Sequence, residues 1–254
     1  MAGSIEVSEE RGVRFLHFDS DYVQGAMRIA RPWALELEYT RELMLPLVLR
    51  DDPPASVLQV GLGAASITKF LHRHFPAARL TVVEIDPRVV ATARQYFRLP
   101  DESPHLRIVV GEGHEFVAGA KGRFDLIVVD GFDEKGRPGS LDTAAFYAAA
   151  RARLSGEGMI SVNLLTRTRG VAASEARMRE VFDGNVVVLP PPEAGNTVAL
   201  MGTDAPIAAP LEDLRERATR LREATGLNLI PALSRLAGSR PGVFPALPRN
   251  ARRR

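Results

Sequence analysis

From Ser56 onward the chain repeats one pattern, a short run of consecutive apolar residues followed by a stretch with helical spacing. The apolar runs fall at 57–60, 80–85, 106–110, 124–129 and 159–162, and the helical stretches at 67–74, 89–97, 141–154 and 171–182. A strand without polar alternation is buried on both faces, so this order predicts a parallel sheet covered by helices. The last pair of runs differs. Only residues 190–197 separate the runs at 186–189 and 198–201. A parallel crossover takes about a dozen residues or more, so this link predicts an antiparallel hairpin at the sheet edge.

The 254 residues suit one α/β domain with extensions. We divide them into an N-terminal β segment (1–31), a Rossmann-like α/β domain (32–203) and a C-terminal helical extension with a basic tail (204–254). In the first segment, 13–18 and 22–29 are strand-like, joined by the turn formers Asp19-Ser20-Asp21. A helix is expected from about Pro32, carrying Leu35, Leu43, Leu47 and Val48 and stopped by Asp51-Asp52-Pro53-Pro54. In the extension, Leu211, Leu214, Ala218 and Leu221 mark an amphipathic helix with Pro210 at its start and Gly226 as its C-cap. The arginines of 248–254 read as a solvated tail, with an acidic partner as the alternative.

Composition narrows the chemistry. The absence of cysteine excludes disulfides, thiolate metal sites and a cysteine nucleophile. A net charge of +2 is far from the basic stripe of a nucleic-acid binder. No apolar run approaches the roughly 20 residues of a membrane span, and the polar, acidic N-terminus is unlike a signal peptide. The expectation is a soluble cytoplasmic protein with no nucleic-acid or membrane partner. His72 and His74 diverge on one helix and the other histidines are scattered, so no metal is expected. No Gly-x-Ser-x-Gly elbow supplies a serine nucleophile.

The first apolar run leads into Gly61-Leu62-Gly63-Ala64-Ala65-Ser66 and then a helix. Gly61 and Gly63 permit a tight turn and a close approach of ligand to backbone, at a helix N-terminus that favours polar groups. The alternative is a tight turn with no ligand. Glu84 closes the next strand about 20 residues downstream, where a carboxylate can accept both ribose hydroxyls. Asp86 reads equally as a helix N-cap before Pro87 or as a ligand contact. This much fits a dinucleotide or an S-adenosyl nucleoside. Three features favour the second: Glu112 in Gly111-Glu112-Gly113, placed to meet an adenine amine; Asp130 after the fourth strand, on the ligand-binding edge; and the terminal hairpin. The fold class is therefore α/β, a mostly parallel sheet of the S-adenosylmethionine-methyltransferase type with a C-terminal antiparallel hairpin.

Residues 15–201 resemble the polyamine aminopropyltransferases, the spermidine synthase family. The ribose motif is present as Val83-Glu84-Ile85-Asp86, the adenine motif as Glu112-Gly113, and the signature segment as Phe124-Asp125-Leu126-Ile127-Val128-Val129-Asp130-Gly131-Phe132-Asp133. Gln24 and Tyr39 are similar to the family's nucleoside-contacting glutamine and active-site tyrosine. Ala64 stands where the family has an aspartate that meets the amine of decarboxylated S-adenosylmethionine, and Glu134 stands where it has a proline. The first departure implies weaker selection for the decarboxylated co-substrate over S-adenosylmethionine. The resemblance also implies a polyamine acceptor and a homodimer.

Aminopropyl transfer needs a carboxylate that takes a proton from an amine whose pKa is about 10. It also needs acidic side chains that attract a cationic substrate. Asp130 suits the first role and Asp133 the second, with Tyr39 holding the attacking nitrogen. Structural alternatives stand beside each: a loop-capping carboxylate, a plain Asp-Glu-Lys-Gly turn, and a ring packed in the core. Two other functions remain open, an S-adenosylmethionine-dependent methyltransferase and a nucleoside-binding homologue without turnover. Against the first, the position two before Gly61, acidic in most methyltransferases, is Gln59.

Overall fold

The computed structural model describes residues 4–18, 23–133, 136–166, 171–190, 195–203, 207 and 209–239. Three strands open the chain, β1 (Ile5–Glu10), β2 (Val13–Phe18) and β3 (Val23–Arg28), paired antiparallel in that order. Two short helices follow, α1 (Glu38–Glu42) and α2 (Pro46–Leu49). Seven more strands are β4 (Ser56–Val60), β5 (Arg79–Glu84), β6 (Leu106–Val110), β7 (Phe124–Val129), β8 (Leu154–Leu165), β9 (Val186–Val188) and β10 (Asn196–Gly202). Between them lie α3 (Ser66–His74), α4 (Pro87–Tyr96), α5 (Gly113–Gly119), α6 (Ala144–Ala152) and α7 (Ala172–Val181). After them come α8 (Leu211–Thr225) and α9 (Ile230–Ser239).

The seven strands form one sheet in the order β6-β5-β4-β7-β8-β10-β9. The first five are parallel, and β10 runs antiparallel to both of its neighbours. The α/β class and the terminal antiparallel pair are thus as the sequence predicts. Alternate residues of each strand enter opposite cores, as the two-residue period requires. Val57, Val82, Leu126 and Val128 meet α3, α4, α8 and α9, while Leu58, Val83, Ile127 and Val129 meet α5, α6 and α7. Complete burial of one such side chain contributes roughly 1.5–3 kcal/mol.

Several local expectations are corrected. The helix expected from Pro32 is two separate helices, and residues 32–37 are turns and extended chain. Pro46 explains the split, because it has no N–H to donate and sits instead at the start of α2. The helix expected over 141–154 begins as a 3-10 turn at Gly139–Asp142 and restarts as α6. Thr143 causes the break, with an extended backbone and a side chain that accepts the Phe146 N–H at 3.1 Å. Leu154 lies in β8, which is far longer than the run at 159–162. Strand β1 and helices α5 and α9 were not anticipated. The Asp19–Asp21 turn, Glu134, most of the link between β9 and β10, and the arginine tail lie outside the described residues.

The order of the sheet sets where a ligand can bind. From β4 the chain builds β5 and β6 on one side, then returns to place β7 and β8 on the other. Loops at the carboxyl ends of β4 and β7 therefore diverge and leave a crevice. The three-stranded sheet lies beside it, with Leu16, Met27, Ala64 and Phe97 buried in a shared cluster. Among the described residues, no helix is long and apolar enough to cross a membrane.

Candidate active site

A cleft of about 360 Å³ opens at this crevice. Gln24, Tyr39, Gly61, Gly63, Glu84, Glu112, Gly113, Asp130 and Asp133, all singled out from the sequence, line it. They come from β3, α1 and the carboxyl ends of four strands. Hydrogen bonds continue the ladder past the strand ends: Gly61 N–H to Val83 O at 2.8 Å, Asp130 N–H to Val60 O at 2.8 Å, and Gly111 N–H to Glu84 O at 2.9 Å. The loops leave the sheet already aligned, so their side chains start from a rigid edge.

One end of the cleft is built around Glu84. Its carboxylate accepts the N–H of Leu62 at 2.8 Å and of Asp86 at 3.0 Å. Burial pushes its pKa up, and the backbone donors of Asp86 and Leu62 oppose that push. Gly61 has a φ of +92°, and a Cβ there would lie 2.1 Å from the Asp130 carbonyl oxygen. Only glycine fits that position. Gln59, which is buried, donates to Gly61 O at 2.7 Å and accepts from Thr68 at 2.8 Å, bracing the loop from beneath. Asp86 caps α4 by accepting the Arg88 N–H at 2.8 Å, so the capping half of its two readings is present.

Glu112 caps α5, accepting the Glu115 N–H at 2.7 Å, and its other oxygen takes the Ser140 hydroxyl at 2.6 Å. Burial raises its pKa, but these bonds outweigh burial and hold the group below its ordinary value. Ala64 also lines the cleft, packed tightly against β3. Ala64 is only 2% exposed, and its Cβ faces Gly25 so closely that a Cβ on that glycine would lie 2.6 Å away.

The other end is built around Asp130. Its carboxylate accepts the Asn163 amide at 2.8 Å and is hydrogen-bonded to the Tyr39 hydroxyl. Asn163 in turn accepts the Asn196 amide at 3.1 Å. Burial pushes the Asp130 pKa up to about 6; the bonds from Asn163 and Tyr39 pull it down, and the nearby charge of Glu84 raises it. Burial, and then the Asp130 charge, drive the Tyr39 phenol well above its ordinary range, so it stays a neutral donor. Asp133 sits further out on the loop. It accepts from the Arg137 backbone N–H at 2.8 Å and pairs with the Arg137 guanidinium at 2.7 Å.

The sequence does not single out Asn163, Asn196 or Arg137, and it marks Gln59 only as a departure from the methyltransferase pattern. A signal existed for Asn163, a lone amide at the carboxyl end of a buried apolar run. Nothing local marks Asn196, because the pairing of β10 with β8 brings it to Asn163 from 33 residues away. Among the described residues, no group of three or more His, Asp or Glu could hold a metal ion.

Comparison with known proteins adds an independent line. The model of the spermine/spermidine synthase domain matches residues 36–197. A polyamine aminopropyltransferase of Chromobacterium violaceum is 34% identical over 232 residues, covering 91% of this chain and 88% of its own. A probable spermidine synthase from Corynebacterium glutamicum superimposes with a TM-score of 0.70 at 21% identity, over 88% of this chain and 91% of its own. Human methyltransferase-like protein 13, in complex with SAH, superimposes with a TM-score of 0.67 at 24% identity, over 75% of this chain and 93% of its own. The last two likenesses speak to the fold alone, which aminopropyl and methyl transferases share.

Proposed function

The chain belongs to the spermine/spermidine synthase family of transferases, and from that premise we propose that it moves an aminopropyl group from decarboxylated S-adenosylmethionine to a polyamine, with Asp130 as the base. The observation that carries the reading is the Asp130 carboxylate, held by Tyr39 and Asn163 at the floor of a cleft whose opposite end is Glu84. The co-substrate supplies a sulfonium whose adjacent carbon is open to attack. Glu84, Gln24, Glu112 and the Gly61–Gly63 turn hold its nucleoside.

The residues at the acceptor end have a defined task. A polyamine arrives as an ammonium and must lose a proton before its lone pair can attack. Asp130 takes that proton, Tyr39 orients the nitrogen, and Asp133 draws the distant cationic end inward. The new N–C bond forms as the C–S bond breaks, and its electron pair returns to sulfur as neutral methylthioadenosine. No general acid is needed. A carboxylate with a pKa of about 6 is ionised near neutrality, yet it accepts a proton more readily than one at 3.8.

The test is to incubate the protein with decarboxylated S-adenosylmethionine and a mixture of polyamines and to analyse the products by mass spectrometry. Methylthioadenosine is expected together with an acceptor heavier by one aminopropyl unit. In a parallel incubation with S-adenosylmethionine and the same acceptors, its conversion to S-adenosylhomocysteine would instead select a methyltransferase, which the loss of a carboxylate at Ala64 favours. Nucleoside binding without either product would select a binding protein.

A further inference from the structure

Tyr39 is carried by an unusually weak element. Helix α1 has only five residues and no side-chain N-cap. A single helical turn is not stable by its own hydrogen bonds, because nucleation fixes several dihedrals for each bond gained. Glu38 and Glu42 lie four apart on one face of this turn, where like charges repel. Both are met by one side chain from the far end of the chain. Arg235 of α9 donates to Glu38 at 2.6 Å and forms an ion pair with Glu42, which is only 1% exposed. Successive helical residues are about 100° apart, so fixing the Glu38–Glu42 face also fixes the direction in which Tyr39 leaves.

Helix α9 is itself well anchored. Leu229, Leu233 and Leu236 are buried in the same core as Leu43 and Leu45, the residues that follow α1. Helix α8 is tied to the end of α2 by Arg217, which donates to Arg50 O at 3.1 Å and pairs with Asp51. Both helices lie beyond residues 36–197, the part matched by the family model.

We propose that Arg235 is a positioning residue for the transfer reaction: by bracketing Glu38 and Glu42 it holds α1 in the one rotation that keeps the Tyr39 hydroxyl on Asp130. This inference rests on the roles given above to Asp130 and Tyr39. Tyr39 from α1 and Asn163 from β8 bond to Asp130, and the charge of Glu84 from β5 reaches it along the cleft. Releasing Tyr39 leaves Asn163 as the remaining donor and Glu84 as an opposing charge, so Asp130 becomes easier to protonate.

The test follows the Asp130 carboxyl by NMR titration of carboxyl-labelled full-length protein, alongside turnover and calorimetric affinity for methylthioadenosine. Arg235→Ala is expected to raise the Asp130 midpoint by about half a pH unit or more and to lower turnover about tenfold. Methylthioadenosine affinity should change by less than about twofold, because α1 does not carry the ribose carboxylate. In a Tyr39→Phe background, Arg235→Ala should have no further effect on either quantity, and Arg235→Lys should recover part of both. Should Arg235→Ala fail to fold, the pair Arg235→Gln with Glu42→Gln leaves no orphaned buried charge and carries the same comparison. An unchanged Asp130 midpoint, or an equal loss in the Tyr39→Phe background, overturns the inference while leaving an active wild type intact. A coupled midpoint in a wild type that transfers nothing would uphold the bracket and overturn the functional reading.

Discussion

The two ends of the cleft are made differently. The proposed nucleoside end is local: Gly61, Leu62 and Gly63 follow β4, Glu84 ends β5, and its carboxylate accepts from the loop directly. The proposed acceptor end is assembled from distant pieces, with Asp130 from the loop after β7, Tyr39 from α1, and Asn163 and Asn196 from two antiparallel strands. A compact βα unit is robust, because its parts are neighbours along the chain. The acceptor end depends on packing among elements scattered over the fold, so it can change chemistry while nucleoside binding stays the same.

One position joins the two ends, and changing it should do the most damage. A Cβ at Gly61 would strike the Asp130 carbonyl at 2.1 Å. Gly61→Ala is therefore expected to reduce both turnover and nucleoside affinity by about 10²-fold or more, since small misplacements at a reacting centre have effects of that size. Retention of either one would show that the ends are not mechanically linked.

Substitutions confined to one end should separate binding from chemistry. Asp130→Asn is expected to lower turnover by about 10² or more with nucleoside affinity nearly intact. Glu84→Gln should do the reverse. Losing a charge-assisted bond of about 1.5–3 kcal/mol weakens nucleoside binding roughly 10- to 100-fold, while saturated turnover remains close to normal. Calorimetry beside steady-state kinetics distinguishes these outcomes, and equal losses from both variants would erase the division.

A smaller effect is read from pH. Asp130 accepts a proton only when ionised, so kcat/KM should rise with pH through about 6 and lose that dependence above it. Asn163→Ala removes a bond that favours the ionised form, so this acid limb should move upward by about half to one pH unit. A limb that stays in place would remove Asn163 from the tuning of the base.

The smallest effect concerns the outer loop. Asp133 is held by the exposed Arg137, and such pairs contribute about 0–1 kcal/mol. Arg137→Ala should release Asp133 from that guanidinium and lower the acceptor KM a few-fold, more at low salt than at high salt. An unchanged KM would mean that Asp133 does not meet the acceptor.

The contrast between the ends also marks what could be read before folding. The strands of the seven-stranded sheet, the hairpin and the Gly61–Glu84 unit were legible because each is a pattern within some thirty consecutive residues, as a βαβ unit requires. Asp130 was legible from its place after an apolar run. The split at Pro46 and the restart at Thr143 are present in the sequence as residue types, but helical periodicity on either side masks them. Asn196 and Arg235 were not legible, because each acts on a partner brought close by the fold rather than by the chain.

By itself, then, the sequence determined the sheet, its polarity and the chemistry available at the carboxyl ends of its strands, since periodicity and turn residues act over short distances. Only the tertiary structure decided which groups surround Asp130, how burial and Glu84 raise its pKa against two hydrogen bonds, and that a helix near the C-terminus holds the turn bearing Tyr39. Those outcomes depend on desolvation and on separations in space, and neither is a property of neighbours along the chain.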